Sequence, residues 1–223
     1  METVGLGQLT GIDINGEVKG ILPSKEWKRN YFKDPLKGKW IDGETISIGI
    51  GQGYNSYTIL QLAQATSIVA NHGRVMKPHI VKVIEDPITH EKTLTVPSES
   101  RTVELKPENI KTITDGMIGV NKVGTGSAPF AGVSYPVAGK TGTAQVFSLA
   151  GKNYNASQIS EFKRDHALYI GFAPADNPKY AMAIVVENAG FGATAAAPIV
   201  RQAFDYLMLN KWPAGVPEWK NAH

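Results

Sequence analysis

Cysteine is absent from these 223 residues, which excludes disulfides, thiol nucleophiles and thiolate-bound metals. Long apolar runs are missing too. Nothing approaches the roughly 20 residues that cross a bilayer as a helix, and Met1-Glu2-Thr3 runs into glycine-rich sequence rather than a secretory leader. Neither sign of charge dominates: 23 basic residues face 20 acidic ones, for a net charge of +3, too little to argue for nucleic acid. Metal-ligand spacing is also lacking. The histidines (His72, His79, His90, His166 and His223) stand apart in the chain, and without cysteine no metal or other cofactor is expected. The chain does have a globular balance of 42% hydrophobic and 19% charged residues, so it can bury a core.

Residues 1–57 show little periodicity and read as ordered loops with short elements. From Lys19 to Lys39, seven basic residues (Lys19, Lys25, Lys28, Arg29, Lys33, Lys37, Lys39) face only Glu26 and Asp34, interleaved with Trp27, Tyr31, Phe32 and Trp40. Basic residues interleaved with aromatics suit nucleic acid, but patterning this thin reads as a solvated loop whose rings pack down. A helix is expected next. Thr58 and Gln61 make a capping box, Ile59, Leu62, Ala65 and Val69 fall on one stripe, and Gly73 sits where a C′ glycine belongs. Residues 79–85 and 93–96 read as strands of a small hairpin around Asp86-Pro87. Pro107 suits the first turn of a second helix, with Ile110, Ile113, Met117 and Val120 on its buried face.

Three strand candidates follow, over residues 137–146, 167–173 and 180–187, the last two joined by the turn-rich Pro174–Lys179 stretch. From Pro198, the residues Ile199, Val200, Ala203, Phe204, Leu207 and Met208 recur at helical spacing. Strand, long loop, hairpin and helix predict an α+β fold, an antiparallel sheet with covering helices. One domain over 1–223 is expected: a loop-rich and helical part with a small hairpin (1–135), then the sheet and C-terminal helix (136–210).

Ala138-Gly139-Lys140-Thr141-Gly142-Thr143-Ala144 is the stretch that carries chemistry. Glycines inside a strand mark a place where another backbone or a ligand comes close. Thr141 and Thr143, two apart, project to one face and can offer paired hydroxyls to an anion, while Lys140 faces the other way in a regular strand. The bland alternative is an edge strand with solvated Lys and Thr side chains.

This stretch resembles the third motif of the serine acyltransferases that bind penicillin. The match is wider than the motif. Thr10-Gly11-Ile12-Asp13, the run from Gly49 to Tyr54, Thr58–Ala63 and Ala70-Asn71-His72-Gly73 resemble the class B transpeptidases, in the same order. Arg164-Asp165-His166-Ala167 and the Val186–Gly192 segment look most like the elongation-type branch of that family in Gram-negative bacteria. The resemblance implies a partial penicillin-binding fold and a D,D-transpeptidase that cross-links peptidoglycan stem peptides and binds β-lactams. It implies that Lys140 supplies positive charge beside a nucleophilic serine, and that the Thr141 and Thr143 hydroxyls bind the substrate carboxylate. The Thr143 backbone N–H would serve as an oxyanion-hole donor, and Gly142 would leave room for substrate to pair along the strand. A periplasmic place at the inner membrane and membrane-protein partners of the elongation machinery are also implied.

The family's other two motifs, Ser-x-x-Lys and Ser-x-Asn, precede the Lys-Thr-Gly strand. No Ser-x-Asn occurs here, and the one Ser-x-x-Lys, Ser160-Glu161-Phe162-Lys163, follows Lys140. It reads as a surface coincidence. The chain is therefore expected to begin downstream of the nucleophile, to be inactive alone, and to self-associate through uncovered sheet. The competing readings are a division-type transpeptidase and a non-catalytic penicillin-binding sensor. Gly49-Ile50-Gly51-Gln52-Gly53 has neither phosphate-loop spacing and reads as a bend. Asp165-His166 beside Arg164 reads as a salt-bridged strand entry.

Overall fold

Polar side chains shape much of Met1–Leu105, the first of two compact units; the second is Lys106–His223. The structure, a computed structural model, describes residues 1–146 and 159–217; His223 lies outside them. In the first unit the short elements are two helices. Ser24 Oγ accepts the Trp27 N–H at 2.9 Å and starts α1 (Lys25–Tyr31). The Ile41 N–H donates to the Glu44 carboxylate at 3.0 Å where α2 (Asp42–Gly49) begins. The rings pack down as expected, with Trp27 stacked on Tyr31 and tilted against Tyr54. Lys28 corrects the solvated-loop reading. It is 4% exposed, paired with Glu44, and its ammonium donates to the Lys39 carbonyl at 2.7 Å. Tyr54 adds a hydroxyl hydrogen bond to Glu44 at 3.1 Å, so the buried charge is compensated.

The capping box forms. Gln61 N–H donates to Thr58 Oγ1 and Thr58 N–H to Gln61 Oε1, both at 3.1 Å, opening α3 (Ile59–Ala70). The predicted stripe is only half-buried; Gln61 and Ile68 lie deepest, both fully buried. Loop backbone rather than apolar side chains covers this face. Gln61 Nε2 donates to the carbonyls of Gln8 (2.5 Å) and Lys19 (2.8 Å). The helix stop is shifted by one residue. His72 takes the left-handed C′ position at φ 53° and Gly73 follows at φ 95°. The Gly73 N–H reaches the Ile68 carbonyl and the His72 N–H that of Val69, the pairing of a Schellman motif.

Four short strands follow: β1 (Arg74–Met76), β2 (Val83–Glu85), β3 (Lys92–Leu94) and β4 (Glu99–Thr102). The β2–β3 hairpin is the expected one, trimmed at its start. Asp13 accepts the Ile80 and Val81 N–H groups at 2.9 and 3.0 Å, withholding them from a ladder. The β1–β4 pair, bulged at Val75/Met76, was not foreseen: it is short, and β4 is exposed throughout.

In the second unit come α4 (Pro107–Lys122), β5 (Ala138–Ala144), β6 (His166–Ala173), β7 (Tyr180–Val186) and α5 (Ala196–Leu209). The strands form one antiparallel sheet, as predicted, in the order β5-β6-β7. On one side of the sheet Ala167, Tyr169 and Ala173 cluster with Ala196, Ala197, Val200 and Phe204 of α5. Two predicted α5 core residues face out, Ile199 at 43% and Leu207 at 38% exposure, because the seam steps by four through Val200, Phe204 and Met208. In α4, Ile110 is buried but Ile113 is 50% exposed; Asn121 closes the buried face instead. Since α4 packs on β5, the units divide at Leu105/Lys106, inside the 1–135 stretch. Tyr135 donates to Asp205 at 2.7 Å, and Arg201 Nε meets both Asp205 oxygens at 2.9 Å. Burial first, then the Asp205 charge, pushes the Tyr135 phenol far above its usual range, so it stays a donor.

Candidate active-site strand

The Lys-Thr-Gly residues occupy β5, which among the described residues pairs on one side only, with β6. Lys140 lies opposite Ile170, Thr141 opposite Tyr169, Gly142 opposite Leu168 and Thr143 opposite Ala167. The pleat does as the sequence dictates. Lys140 is exposed, while Thr141 on the opposite side is 9% exposed. No twist brings the three side chains to one point. Lys140 Nζ folds back on its own strand and donates to the Thr141 carbonyl at 2.6 Å. That ammonium is held by one charge-assisted bond in an exposed position, from which an anion can draw it.

The two threonines share a face but have different partners. Thr141 Oγ1 lies 2.6 Å from Thr125 Oγ1, and Thr143 Oγ1 accepts the Gly192 N–H at 3.5 Å. Thr125 and Gly192 are the residues that sequence reading missed. A signal for Thr125 was present: it stands between Gly124 and Gly126, where the chain turns tightly off α4. The Gly124 N–H bonds to the Gly119 carbonyl and the Gly126 N–H to that of Val120. A Cβ at Gly126 would lie 2.3 Å from Asn121 Oδ1, so only glycine fits there.

The glycines of β5 do mark close approaches, but the neighbours are the protein's own. A Cβ on Gly139 would fall 1.9 Å from the Tyr169 hydroxyl. Tyr169 is fully buried, stacks on Phe130 with centroids 5.5 Å apart, and donates to Asn121 Oδ1 at 3.0 Å. Asn121 Nδ2 in turn donates to the Val137 carbonyl at 3.0 Å. Burial pushes the Tyr169 phenol far above its usual range, and the Asn121 bond only partly offsets that. Over Gly142 the close neighbour is Gly192, whose Cβ would sit 2.3 Å from the Gly142 and Leu168 carbonyl oxygens. Gly192 therefore lets the chain after β7 lie flat on the β5–β6 pair, while a Cβ on Gly142 would meet the Leu168 Cβ at 3.2 Å.

At the other end of β6, Asp165 is buried and accepts the Val146 N–H at 3.4 Å. His166 Nδ1 accepts the Asn188 N–H at 2.9 Å, which fixes the tautomer with hydrogen on Nε2. Asn188, left-handed at φ 53°, ties the Phe162 and Arg164 carbonyls with its amide. This is a strand entry fastened by backbone hydrogen bonds. Ser160 precedes and Lys163 ends an exposed single-turn 3-10 helix, Glu161–Lys163. Among the described residues no group of three His, Asp or Glu side chains could hold a metal, and no helix is long and apolar enough to cross a membrane.

Comparison with known proteins agrees with this strand and its sheet. The family model described as "Penicillin binding protein transpeptidase domain" matches residues 1–205. The peptidoglycan D,D-transpeptidase MrdA of Haemophilus influenzae is 41% identical over 218 residues, 96% of this chain and 32% of the relative. Among solved structures, Pseudomonas aeruginosa PBP2 in complex with WCK 5153 superposes with a TM-score of 0.74 at 36% identity, over 97% of this chain and 45% of that one. The Helicobacter pylori complex of PBP2 with MreC gives a TM-score of 0.72 at 27% identity, over 93% of this chain and 35% of that one. The chain thus spans about a third of the length of the curated relative. A match along nearly all of its length, with Lys140-Thr141-Gly142 on the paired edge strand, places this chain in the penicillin-binding protein transpeptidase family.

Proposed function

We propose that this chain is the Lys-Thr-Gly portion of a peptidoglycan D,D-transpeptidase of cell elongation, acting at the periplasmic face of the inner membrane. The observation that carries the reading is the placement of Lys140, Thr141, Gly142 and Thr143 on an exposed-edge strand. An edge strand offers backbone groups to an extended peptide, and this one adds two hydroxyls on one face to hold its carboxylate and a cation on the other. In the complete enzyme a serine attacks the D-Ala-D-Ala carbonyl, the terminal D-alanine leaves, and the acyl group passes to an amine of a neighbouring stem peptide. Lys140 lends positive charge to that step, Thr141 and Thr143 bind the carboxylate, and the Thr143 N–H stabilises the oxyanion. β-Lactams mimic the dipeptide and stop at the acyl-enzyme. The MrdA name of the H. influenzae relative favours elongation over division, and the H. pylori PBP2–MreC complex favours elongation-machinery partners.

Acylation by a fluorescent penicillin tests this. In the longer protein that contains the Ser-x-x-Lys segment, Lys140→Ala should cut the acylation rate by about 100-fold or more, the scale of losing an electrostatic catalytic group. Unchanged acylation would refute the role of Lys140. The chain alone should gain no adduct by intact mass, and an adduct at Ser160 would reassign the nucleophile. The open edge of β5 further suits self-association; light scattering at micromolar concentration should show more than monomer, and a clean monomer ends that part of the proposal.

A further inference from the structure

The basic stretch around α1 builds a feature that cross-linking chemistry leaves unused. A cavity of about 570 Å³ is lined by four cations, Lys25, Arg29, Lys33 and Lys39, and two half-buried rings, Phe32 and Trp40. None of these four side chains makes a hydrogen bond or ion pair among the described residues, in contrast to their neighbour Lys28, which Glu44 neutralises. Lys25 and Arg29 stand four apart on α1, where like charges destabilise a helix. No acid answers them. Glu26 does not line the cavity, and Asp34 turns its carboxylate to the Leu36 N–H at 2.9 Å. Trp40 is held in the wall by its indole N–H, which donates to Thr45 Oγ1 at 2.9 Å. The four cations are exposed and answered by no acid, around an apolar floor that the Trp40–Thr45 bond fixes, an arrangement that can receive an anion.

The lining also says what kind of anion fits. Its remaining members, Pro35 and Gly38, add no hydroxyl, amide or carboxylate side chain. A sugar would find no side-chain acceptor for its hydroxyls. A compact phosphate would find neither a nest of backbone N–H groups nor a serine or threonine. Ammonium and guanidinium groups on long stems, spread around Phe32 and Trp40, instead match several separated carboxylates with apolar atoms between them. We infer that this cavity is a binding site for an acidic peptide, whose carboxylates pair with Lys25, Arg29, Lys33 and Lys39 while an apolar side chain rests on Phe32 and Trp40. This holds whether or not the transpeptidase reading does, since it involves neither β5 nor acylation.

Fluorescence anisotropy with a fluorescein-labelled Glu-Glu-Leu-Glu-Glu peptide, added to the full 223-residue chain, provides the test. Binding should weaken about fivefold or more as the Debye length falls from about 10 Å at 0.1 M salt to about 3 Å at 1 M. Lys25→Glu with Arg29→Glu should weaken it about tenfold or more, by replacing two charge-assisted partners with repulsive ones. Lys82→Glu with Lys179→Glu changes net charge equally at exposed sites that do not line the cavity and should leave binding within about twofold, since neither supplies a charge-assisted partner there. Far-UV circular dichroism checks that both pairs fold. Equal binding of the Gln-Gln-Leu-Gln-Gln peptide, equal loss in the two variant pairs, or tripolyphosphate binding where the acidic peptide does not, would each overturn the assignment.

Discussion

Met1–Leu105 buries an apolar cluster of three side chains, Ile68, Val75 and Val103, whereas in Lys106–His223 a far larger cluster surrounds Tyr169 and Phe204. The first unit makes up the difference with side chains that satisfy loop backbone. Gln61 holds the Gln8 and Lys19 carbonyls, Glu17 the Thr10 and Gly11 N–H groups, and Asp13 those of Ile80 and Val81. Where regular ladders are short, backbone polar groups must find such partners. The lesson is electrostatic as well. In the first unit hydrogen bonds hold five carboxyls below their usual range: Asp13, Glu17, Glu44, Asp86 and Glu99.

The sharpest way to break this contrast is Phe204→Ala. Removing a fully buried ring should cost about 3–5 kcal/mol, and hydrogen exchange should show the loss in β5–β7 and α5 with residues 1–105 spared. Gly139→Ala comes next. The added Cβ meets the Tyr169 ring, which stacking on Phe130 and the Asn121 bond hold in place. Overpacking of this kind costs about 1–3 kcal/mol, read as a lower denaturation midpoint. In the first unit Gln61→Ala should cost a similar 1–3 kcal/mol, roughly the penalty for orphaning buried polar groups. Here exchange should rise around Gln8 and Lys19 and not in the sheet.

Acid should separate the units again. In the first, hydrogen bonds from the Ile80 and Val81 N–H groups hold Asp13 low, and the Lys28 bond outweighs desolvation at Glu44. At Glu17 burial pushes upward, but the Thr10 and Gly11 bonds prevail. Groups with lowered folded pKa stabilise fully above the unfolded carboxylate range and lose that contribution as pH falls through the folded value. Below about pH 4, exchange in residues 1–105 should therefore quicken before that in the sheet. The smallest effect is expected at His72→Gly. Relieving a left-handed non-glycine residue should add up to about 1 kcal/mol, seen as a slightly higher melting temperature.

How far the sequence could be read follows from the same contrast. The antiparallel sheet and the α5 cover were legible because strand period and turn residues reflect a large apolar core. The capping box at Thr58 and Gln61 was legible because it is local. What escaped was set by distant partners. Nothing near Gln61 announces that it will bind two loop carbonyls, and the β1–β4 pairing joins segments too short to show a period. At the site, alternation correctly separated Lys140 from Thr141 and Thr143. It could not show that Thr125 and Gly192 would lie against their hydroxyls, nor that Tyr169 crowds Gly139.

Gly192 has one further consequence. Its N–H points to Thr143 at 3.5 Å, while its carbonyl receives the Ala196 and Ala197 N–H groups at 3.1 and 2.9 Å. A single residue thus works as a joint, one arm on the reactive strand and the other on the first turn of α5. Because a Cβ there would strike the strand backbone at 2.3 Å, the joint has no slack on that side. Through this one residue the Lys-Thr-Gly strand and the start of its covering helix take their positions from each other.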